Sequence, residues 1–261
     1  MTQAKSTRAA SAAAVLSYLV DDLHDAVDAL ERLLARARDL VRQRVGGLSA
    51  EALETHQREA HGLAWLATYV TALRQLSAYA ERQQLEGRLG ETEALLAQIA
   101  ASEYLAQILG GIPMSQGEMV RLRDLGLAEE GRRLEESEAV RQLLAGGSTA
   151  ASRLRLIERM TDVAPAATYG DPGLDATLEE FRGQIRRFCA DEVEPNAHAW
   201  HLGNSYIPLD VIGKLGELGV FGLTIPEAYG GLGLGKVSMC VVSEELSRGY
   251  IGVGSLGTRS E

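Results

Sequence analysis

A glycine-rich stretch decides how the last third of the chain folds, Ile225-Pro-Glu-Ala-Tyr-Gly-Gly-Leu-Gly-Leu-Gly235. Glycine adopts positive φ angles without steric cost, so this density of glycines predicts a tight turn. Sequence rich in helix formers lies on both sides of it, from Leu209 to Leu218 and from Lys236 to Arg248. The stretch is therefore interpreted as a turn between two helices.

A nucleotide-binding turn is the alternative interpretation of these glycines. The dinucleotide fingerprint requires Gly-x-Gly-x-x-Gly after a strand. Counted from Gly231 and Gly233, the third glycine position holds Lys236. A phosphate-binding loop requires Ser or Thr directly after Gly-Lys, and Val237 stands there instead. Neither phosphate-binding pattern fits this sequence.

Composition excludes several classes of protein. A chain of 261 residues can form one large domain or two smaller ones. The net charge of -10 argues against a nucleic-acid-binding surface, which needs clustered positive charge. Cys189 and Cys240 provide neither a disulfide framework nor metal-ligand spacing, which indicates a reduced, cytoplasmic setting. No apolar run approaches the roughly 20 residues that a membrane span needs.

The first 165 residues predict a series of helices. Ala, Leu, Glu, Arg and Gln dominate, and no proline precedes Pro113. Helical segments are expected over 15–45, 49–84, 91–109, 116–125, 129–144 and 149–160. Ser49 is the expected N-cap of the second segment, and Gly46-Gly47 the end of the first.

A change of composition divides the chain. Prolines and glycines from Thr161 to Gly173 predict an interdomain linker. We assign residues 1–165 to a helical extension, 166–173 to the linker and 174–261 to a second helical domain. In that domain, Leu178 to Phe188 predict a helix that ends near Pro195. The expected fold class is all-α.

Several polar residues raise the question of a catalytic or metal site. His198 and His201 are three residues apart with carboxylates nearby, but Pro195 and Gly203 bracket them and no further ligand pair follows. No metal site is therefore expected. Carboxylates on amphipathic helices usually face solvent, and Glu244-Glu245 are interpreted in this way.

Residues 174–261 resemble the N-terminal helical domain of acyl-CoA dehydrogenases. The resemblance rests on three pieces in order: Leu215-Gly-Glu-Leu-Gly-Val-Phe-Gly-Leu-Thr-Ile-Pro-Glu227, Tyr229-Gly-Gly-Leu-Gly233 and Ser243-Glu-Glu-Leu-Ser-Arg248. Two segments of the extension resemble the methylsuccinyl-CoA dehydrogenase branch, whose members carry a long helical extension: Ala60-His-Gly-Leu-Ala-Trp-Leu-Ala-Thr-Tyr69 and Gly110-Gly-Ile-Pro-Met-Ser-Gln116.

This resemblance implies an activity and its partners. Family members bind FAD, and a glutamate removes the α-proton of an acyl-CoA while the β-hydride passes to the flavin. The resemblance places the flavin-binding β-domain and the catalytic base beyond Glu261. We therefore assign no catalytic residue and no flavin ligand in this sequence, and we expect the 261 residues alone to be inactive. An electron-transfer flavoprotein and a homo-oligomeric state are the implied partners.

The resemblance also suggests substrate-binding residues. The segment Gly252-Val-Gly-Ser-Leu-Gly-Thr-Arg-Ser-Glu261 corresponds to a helix that lines the acyl pocket in the family. In glutaryl-CoA dehydrogenases, an arginine that binds the distal carboxylate aligns with Gly254. Arg259 is the candidate replacement, because arginine binds carboxylates with two hydrogen bonds; a surface arginine is the alternative. The substrate-binding candidates are Gly254, Ser255, Thr258 and Arg259.

Two functions remain open from the sequence. The first is the N-terminal part of an FAD-dependent dehydrogenase that converts (2S)-methylsuccinyl-CoA to mesaconyl-CoA in the ethylmalonyl-CoA pathway. The second is a non-catalytic helical interaction module derived from the same family. Whether the natural reading frame continues past Glu261 distinguishes them.

Overall fold

A computed structural model describes residues 2–46, 49–163 and 168–258, with side chains from Tyr18 onward. The chain divides into two compact units at the junction of Gly173 and Leu174. We call them unit 1 and unit 2. No helix within the described ranges is both long and apolar enough to cross a membrane.

Unit 1 is a bundle of helices with one small hairpin. Its helices are α1 (Thr2–Val45), α2 (Ala50–Thr55), α3 (Gln57–Leu85), α4 (Glu91–Gly110), α5 (Ala128–Glu136), α6 (Glu138–Gly147) and α7 (Ala150–Asp162). Strands β1 (Ile112–Pro113) and β2 (Met119–Val120) are antiparallel, and Ile112 lies opposite Val120. A 3₁₀ turn covers Leu122–Leu125. The predicted all-α class is confirmed, apart from these two-residue strands.

The core of unit 1 forms where the apolar faces of its long helices meet. α1 packs on α3, and α4 packs on α6. Its fully buried side chains include Leu30 from α1, Leu66 and Leu73 from α3, and Leu105 from α4. These leucines lie on the faces that the three-and-four spacing predicts, so burial of one apolar stripe per helix explains the bundle.

Local sequence explains where the helices begin and break. Ser49 caps α2 as predicted, because its Oγ accepts a hydrogen bond from the Ala52 N–H at 3.1 Å. The predicted helix over 49–84 is interrupted at His56, and the one over 129–144 is interrupted at Ser137. The predicted helix over 116–125 is wrong, since these residues form β2 and the 3₁₀ turn.

Unit 2 is a second, smaller helical cluster. It contains α8 (Ala176–Phe188), α9 (Glu194–Leu202), α10 (Leu209–Glu217), α11 (Lys236–Gly249) and α12 (Ile251–Gly254). A π-helical turn, Cys189–Val193, joins α8 to α9 without a break. The predicted end near Pro195 is therefore wrong. Pro195 lies in the first turn of α9, just after the π-helical turn, and the helix continues through it to Leu202.

The segment before unit 2 is held on unit 1 by a group of hydrogen bonds that we call the Asp171 network. Arg88 donates to both carboxylate oxygens of Asp171, at 2.8 and 2.6 Å. The Asp171 N–H donates to buried Glu93 at 2.7 Å. The Asp171 carbonyl accepts from Tyr79 at 2.5 Å and from Gln83 at 3.0 Å. Residues 168–173, which fall in the sequence-assigned linker, thus contact α3 and α4.

Candidate functional site

A buried carboxylate fixes α11 against α8 at the centre of unit 2. Glu245 is 0% exposed, although it lies on the helix that the sequence assigns to a solvated face. Arg186 of α8 donates to its two oxygens, from Nε at 2.9 Å and from Nη2 at 2.6 Å. The Nε of Arg248 lies 3.3 Å from the same carboxylate. The two-pronged geometry satisfies a charge that would otherwise be costly to bury.

A close approach of α11 to side chains of the π-helical turn then sets the course of the chain after α11. A Cβ atom at Gly249 would lie 2.4 Å from the Cys189 Sγ, so only glycine lets the end of α11 pass the π-helical turn. Burial raises the pKa of the Cys189 thiol, which keeps it neutral. Tyr250 adopts an extended conformation and starts α12. The candidate substrate-binding segment is therefore positioned by the α8–α11 contact.

Gly254 is buried against the backbone of α11. A Cβ atom at this position would lie 2.0 Å from the Ser247 Oγ and 2.8 Å from the Ser247 N. The first contact could be relieved by rotating a hydroxyl, but the second is with backbone. An arginine at this position would require α12 to move away from α11. Unit 2 therefore has no room for the arginine that glutaryl-CoA dehydrogenases are expected to carry there.

Ser255 and Thr258 use their hydroxyl protons within the turn that follows α12. Ser255 Oγ donates to the Gly252 carbonyl and Thr258 Oγ1 donates to the Ser255 carbonyl, both at 3.0 Å. Each oxygen keeps lone pairs that can accept a further hydrogen bond. Ser255 is partly buried and Thr258 is exposed. The structure thus brings Gly254, Ser255 and Thr258 together, while Arg259 lies outside the described residues.

The glycine-rich stretch is a turn whose backbone donors are already in use. Gly230 and Gly233 have φ angles of +83° and +61°, as predicted for an interhelical turn. The N–H groups of Leu232 and Leu234 donate to the carbonyls of Gly222 and Leu223, each at 2.8 Å. A phosphate-binding turn needs free N–H groups that converge on the anion. This turn therefore does not fit the pyrophosphate of FAD.

The remaining polar candidates lie apart from this segment. His198 and His201 are exposed, and the part of the chain that the structure describes holds no group of three potential metal ligands. Glu244 is exposed as predicted, whereas its neighbour Glu245 is buried. The solvated-face interpretation of Glu245 was therefore wrong. A sequence signal existed, because Glu245 falls in the same helical register as Val241, Val242 and Leu246.

The first extension segment with a family resemblance, 60–69, packs on the hairpin whose strand β1 belongs to the second. A Cβ atom at Gly62 would lie 2.5 Å from Val120 Cγ2, so glycine is needed where α3 crosses the hairpin. Tyr69 donates to Gln107 Oε1 at 2.7 Å, and Trp65 donates to His61 Nε2 at 2.9 Å. Residues of the first segment thus contact both the hairpin and α4.

Comparison with known proteins shows which family this chain resembles. Residues 175–260 match the acyl-CoA dehydrogenase N-terminal domain. A (2S)-methylsuccinyl-CoA dehydrogenase of Cereibacter sphaeroides is 55% identical over 250 residues, which cover 95% of this chain. The resemblance to acyl-CoA dehydrogenases is confirmed. Because the second match covers nearly the whole chain, it includes most of unit 1 as well as unit 2.

Other relatives match a smaller part of the chain. A mitochondrial isovaleryl-CoA dehydrogenase of Oryza sativa subsp. japonica is 40% identical over 89 residues, or 33% of this chain. A glutaryl-CoA dehydrogenase of Desulfococcus multivorans is 35% identical over 81 residues, or 30% of it. The chain spans 45% of the length of the Cereibacter protein and 22% and 21% of these two.

Proposed function

We propose that this chain is the N-terminal part of an FAD-dependent dehydrogenase that oxidises (2S)-methylsuccinyl-CoA to mesaconyl-CoA. The observation that carries the proposal is the 55% identity to a methylsuccinyl-CoA dehydrogenase across 95% of the chain. The isovaleryl- and glutaryl-CoA relatives match only about a third of it. Because the sequence similarity to the methylsuccinyl-CoA dehydrogenase includes the helical extension, it favours this branch of the family over the isovaleryl- and glutaryl-CoA dehydrogenases.

The geometry at Gly254 supports a substrate that differs from glutaryl-CoA. Methylsuccinyl-CoA has a distal carboxylate, and a carboxylate in an apolar pocket needs a cationic partner. Position 254 cannot supply one, because its Cβ direction is blocked by the α11 backbone. Arg259, five residues further on, is our proposed partner, and Ser255 and Thr258 are proposed to accept or donate hydrogen bonds beside it. A cytoplasmic homo-oligomer that passes electrons to an electron-transfer flavoprotein completes the proposal.

The direct test uses the protein that the complete reading frame encodes. Purified protein is mixed anaerobically with methylsuccinyl-CoA, and the flavin absorbance and the CoA products are followed. We expect bleaching of the flavin and formation of a product two hydrogens lighter. A reading frame that stops at Glu261, or an intact flavoprotein that leaves methylsuccinyl-CoA unchanged, would refute the proposal. The first outcome would favour the non-catalytic module.

A variant tests the assignment of Arg259 separately. Arg259→Met should weaken turnover of methylsuccinyl-CoA by about 2–5 kcal/mol if the charge pair is buried. Turnover of isovaleryl-CoA, which has no distal carboxylate, should change much less. Equal losses on both substrates would indicate a packing role for Arg259. No loss on either would place the carboxylate partner elsewhere.

A further inference from the structure

Three arginines from separate parts of unit 1 converge on Asp124 in the 3₁₀ turn. Arg44, at the end of α1, donates from Nη1 to the Asp124 carbonyl at 3.0 Å. Arg58, in the first turn of α3, places its Nη2 3.6 Å from Asp124 Oδ2. The Nε of Arg123, which precedes Asp124 in the chain, lies 3.9 Å from Asp124 Oδ1. We call Arg44, Arg58 and Arg123 the arginine cluster.

The arginine cluster carries more positive charge than its surroundings neutralise. Its three guanidinium groups stay protonated at any physiological pH, and they share the single carboxylate of Asp124. Glu118, in the neighbouring hairpin, has His61 as its ion-pair partner at 3.9 Å. Three positive charges against one negative charge leave an excess of two. This excess occurs in a chain whose net charge is -10.

Two members of the cluster present hydrogen-bond donors to solvent. Distances of 3.6 and 3.9 Å are too long for hydrogen bonds, so Arg58 and Arg123 are attracted to Asp124 by charge alone. Their side chains are 57% and 70% exposed. Arg58 also donates to the Met119 carbonyl at 3.0 Å. Among the residues that the structure describes, Asp124 is the one side-chain partner of Arg123.

The charge excess matches a phosphate group better than a carboxylate. A phosphate monoester carries a charge of about −1.5 to −2 at neutral pH and has three acceptor oxygens. Guanidinium groups bind such oxygens with pairs of hydrogen bonds. A monocarboxylate would leave one of the two excess charges unmatched. The exposed donors of Arg58 and Arg123 are therefore suited to a phosphate that approaches from solvent.

We propose that the arginine cluster binds a small, soluble phosphate monoester. Arg58 and Arg123 donate hydrogen bonds to it, and Arg44 adds positive charge. The inference does not depend on the proposed activity, because it uses only unit 1. Arg44 and Arg58 also hold the 3₁₀ turn and the hairpin in place through backbone carbonyls. Arg123 has no such contact, so it separates phosphate binding from a purely structural role.

Phosphate binding by the protein that the complete reading frame encodes tests the site. Inorganic phosphate is the probe, and its ³¹P NMR line width is followed at constant ionic strength. Arg123→Gln should weaken binding at least about fivefold, because it removes one excess charge and its donors. Arg132→Gln, at an exposed arginine of α5 that pairs with Glu129, should leave binding unchanged. Equal binding by the two variants, or no binding by the unsubstituted protein, would overturn the proposal.

A second variant tests whether the charge excess attracts the anion. Asp124→Asn keeps an oxygen that can accept from the Arg121 N–H, but removes the negative charge at the centre of the cluster. Phosphate binding should therefore strengthen about two- to fivefold. Acetate, which is singly charged, should bind the unsubstituted protein at least about fivefold more weakly than phosphate does. Circular dichroism verifies that each variant remains helical. Phosphate binding that fails to strengthen, or acetate binding as tight as that of phosphate, would count against the proposal.

Discussion

The buried pair of Glu245 and Arg186 provides the sharpest test of how unit 2 is held together. Arg186→Met removes the two hydrogen bonds of 2.9 and 2.6 Å but keeps most of the side-chain volume. Breaking a buried ion pair from one side typically costs 3–5 kcal/mol. Two features reduce that figure: Arg186 is 35% exposed, and Arg248 remains 3.3 Å from the carboxylate. We therefore expect a loss of about 2–3 kcal/mol.

The assay must report on unit 2 alone. Trp65 lies in unit 1 and Trp200 in unit 2, so a Trp65→Phe background leaves one fluorescent reporter of unit 2. Urea unfolding followed at Trp200 then gives the free-energy change of each variant. Arg187→Met is the matched control, because Arg187 is an exposed neighbour and its loss should cost at most about 0.5 kcal/mol.

A double variant isolates the interaction itself. Arg186→Met combined with Glu245→Met removes both charges, and apolar replacement of a whole buried pair is often tolerated. The double variant should therefore be more stable than Arg186→Met alone. If Arg186→Met costs no more than Arg187→Met, Glu245 does not depend on Arg186. If the two single losses simply add in the double variant, the residues are not energetically coupled. Either result would refute the reasoning.

Three further predictions concern other sites. The pKa of Asp22 is raised, first by burial and then by the nearby carboxylates of Asp25, Asp21 and Glu138. Ionised Asp22 therefore destabilises the folded state, and Asp22→Asn should raise the urea midpoint of unit 1 at pH 7. This gain should vanish once the pH falls below the ordinary aspartate pKa, because Asp22 is then protonated in both states. Burial opposes ionisation of Asp171, but hydrogen bonds, led by that from Arg88, lower its pKa overall. Asp171→Asn should cost about 1 kcal/mol and speed hydrogen exchange over residues 168–173 at neutral pH. Because the folded-state pKa is lowered, this difference should begin to shrink at the ordinary aspartate pKa and be lost as the pH falls through the lower pKa of the folded protein. Gly254→Ala should destabilise unit 2 by about 1–3 kcal/mol because the added methyl meets the Ser247 backbone, and Ser247→Ala should not rescue it; full stability in urea would contradict this contact.

The sequence predicted most of the helical architecture because each helix follows one apolar stripe. Its errors come from features that periodicity does not show. The residues before Pro195 form a π-helical turn, which periodicity does not reveal. The helix therefore continues, and the proline that was expected to end it lies in the first turn of α9. Residues 116–125 contain helix-forming residues, yet Gly111 and contacts with α3 favour a hairpin.

The candidate site was less predictable than the fold. Resemblance suggested the segment around Gly254, but only the three-dimensional structure shows that Ser247 fills the space beside it. Glu245 was expected in solvent, because its partner Arg186 is 59 residues away in the sequence. An ion pair between residues so far apart in the sequence cannot be predicted from the local periodicity of either helix. Asp171 is a similar case, since its partners lie on α3, on α4 and in the segment between them.

Substrate preference tests the central claim most directly. The measurement compares kcat/KM for (2S)-methylsuccinyl-CoA, glutaryl-CoA and isovaleryl-CoA with the protein that the complete reading frame encodes. A site that pairs a buried charge rejects substrates lacking the matching group, so we expect methylsuccinyl-CoA to exceed isovaleryl-CoA by about 10²-fold or more. Glutaryl-CoA, one carbon longer in its main chain, should also be disfavoured. A preference for isovaleryl-CoA or glutaryl-CoA over methylsuccinyl-CoA would contradict the account.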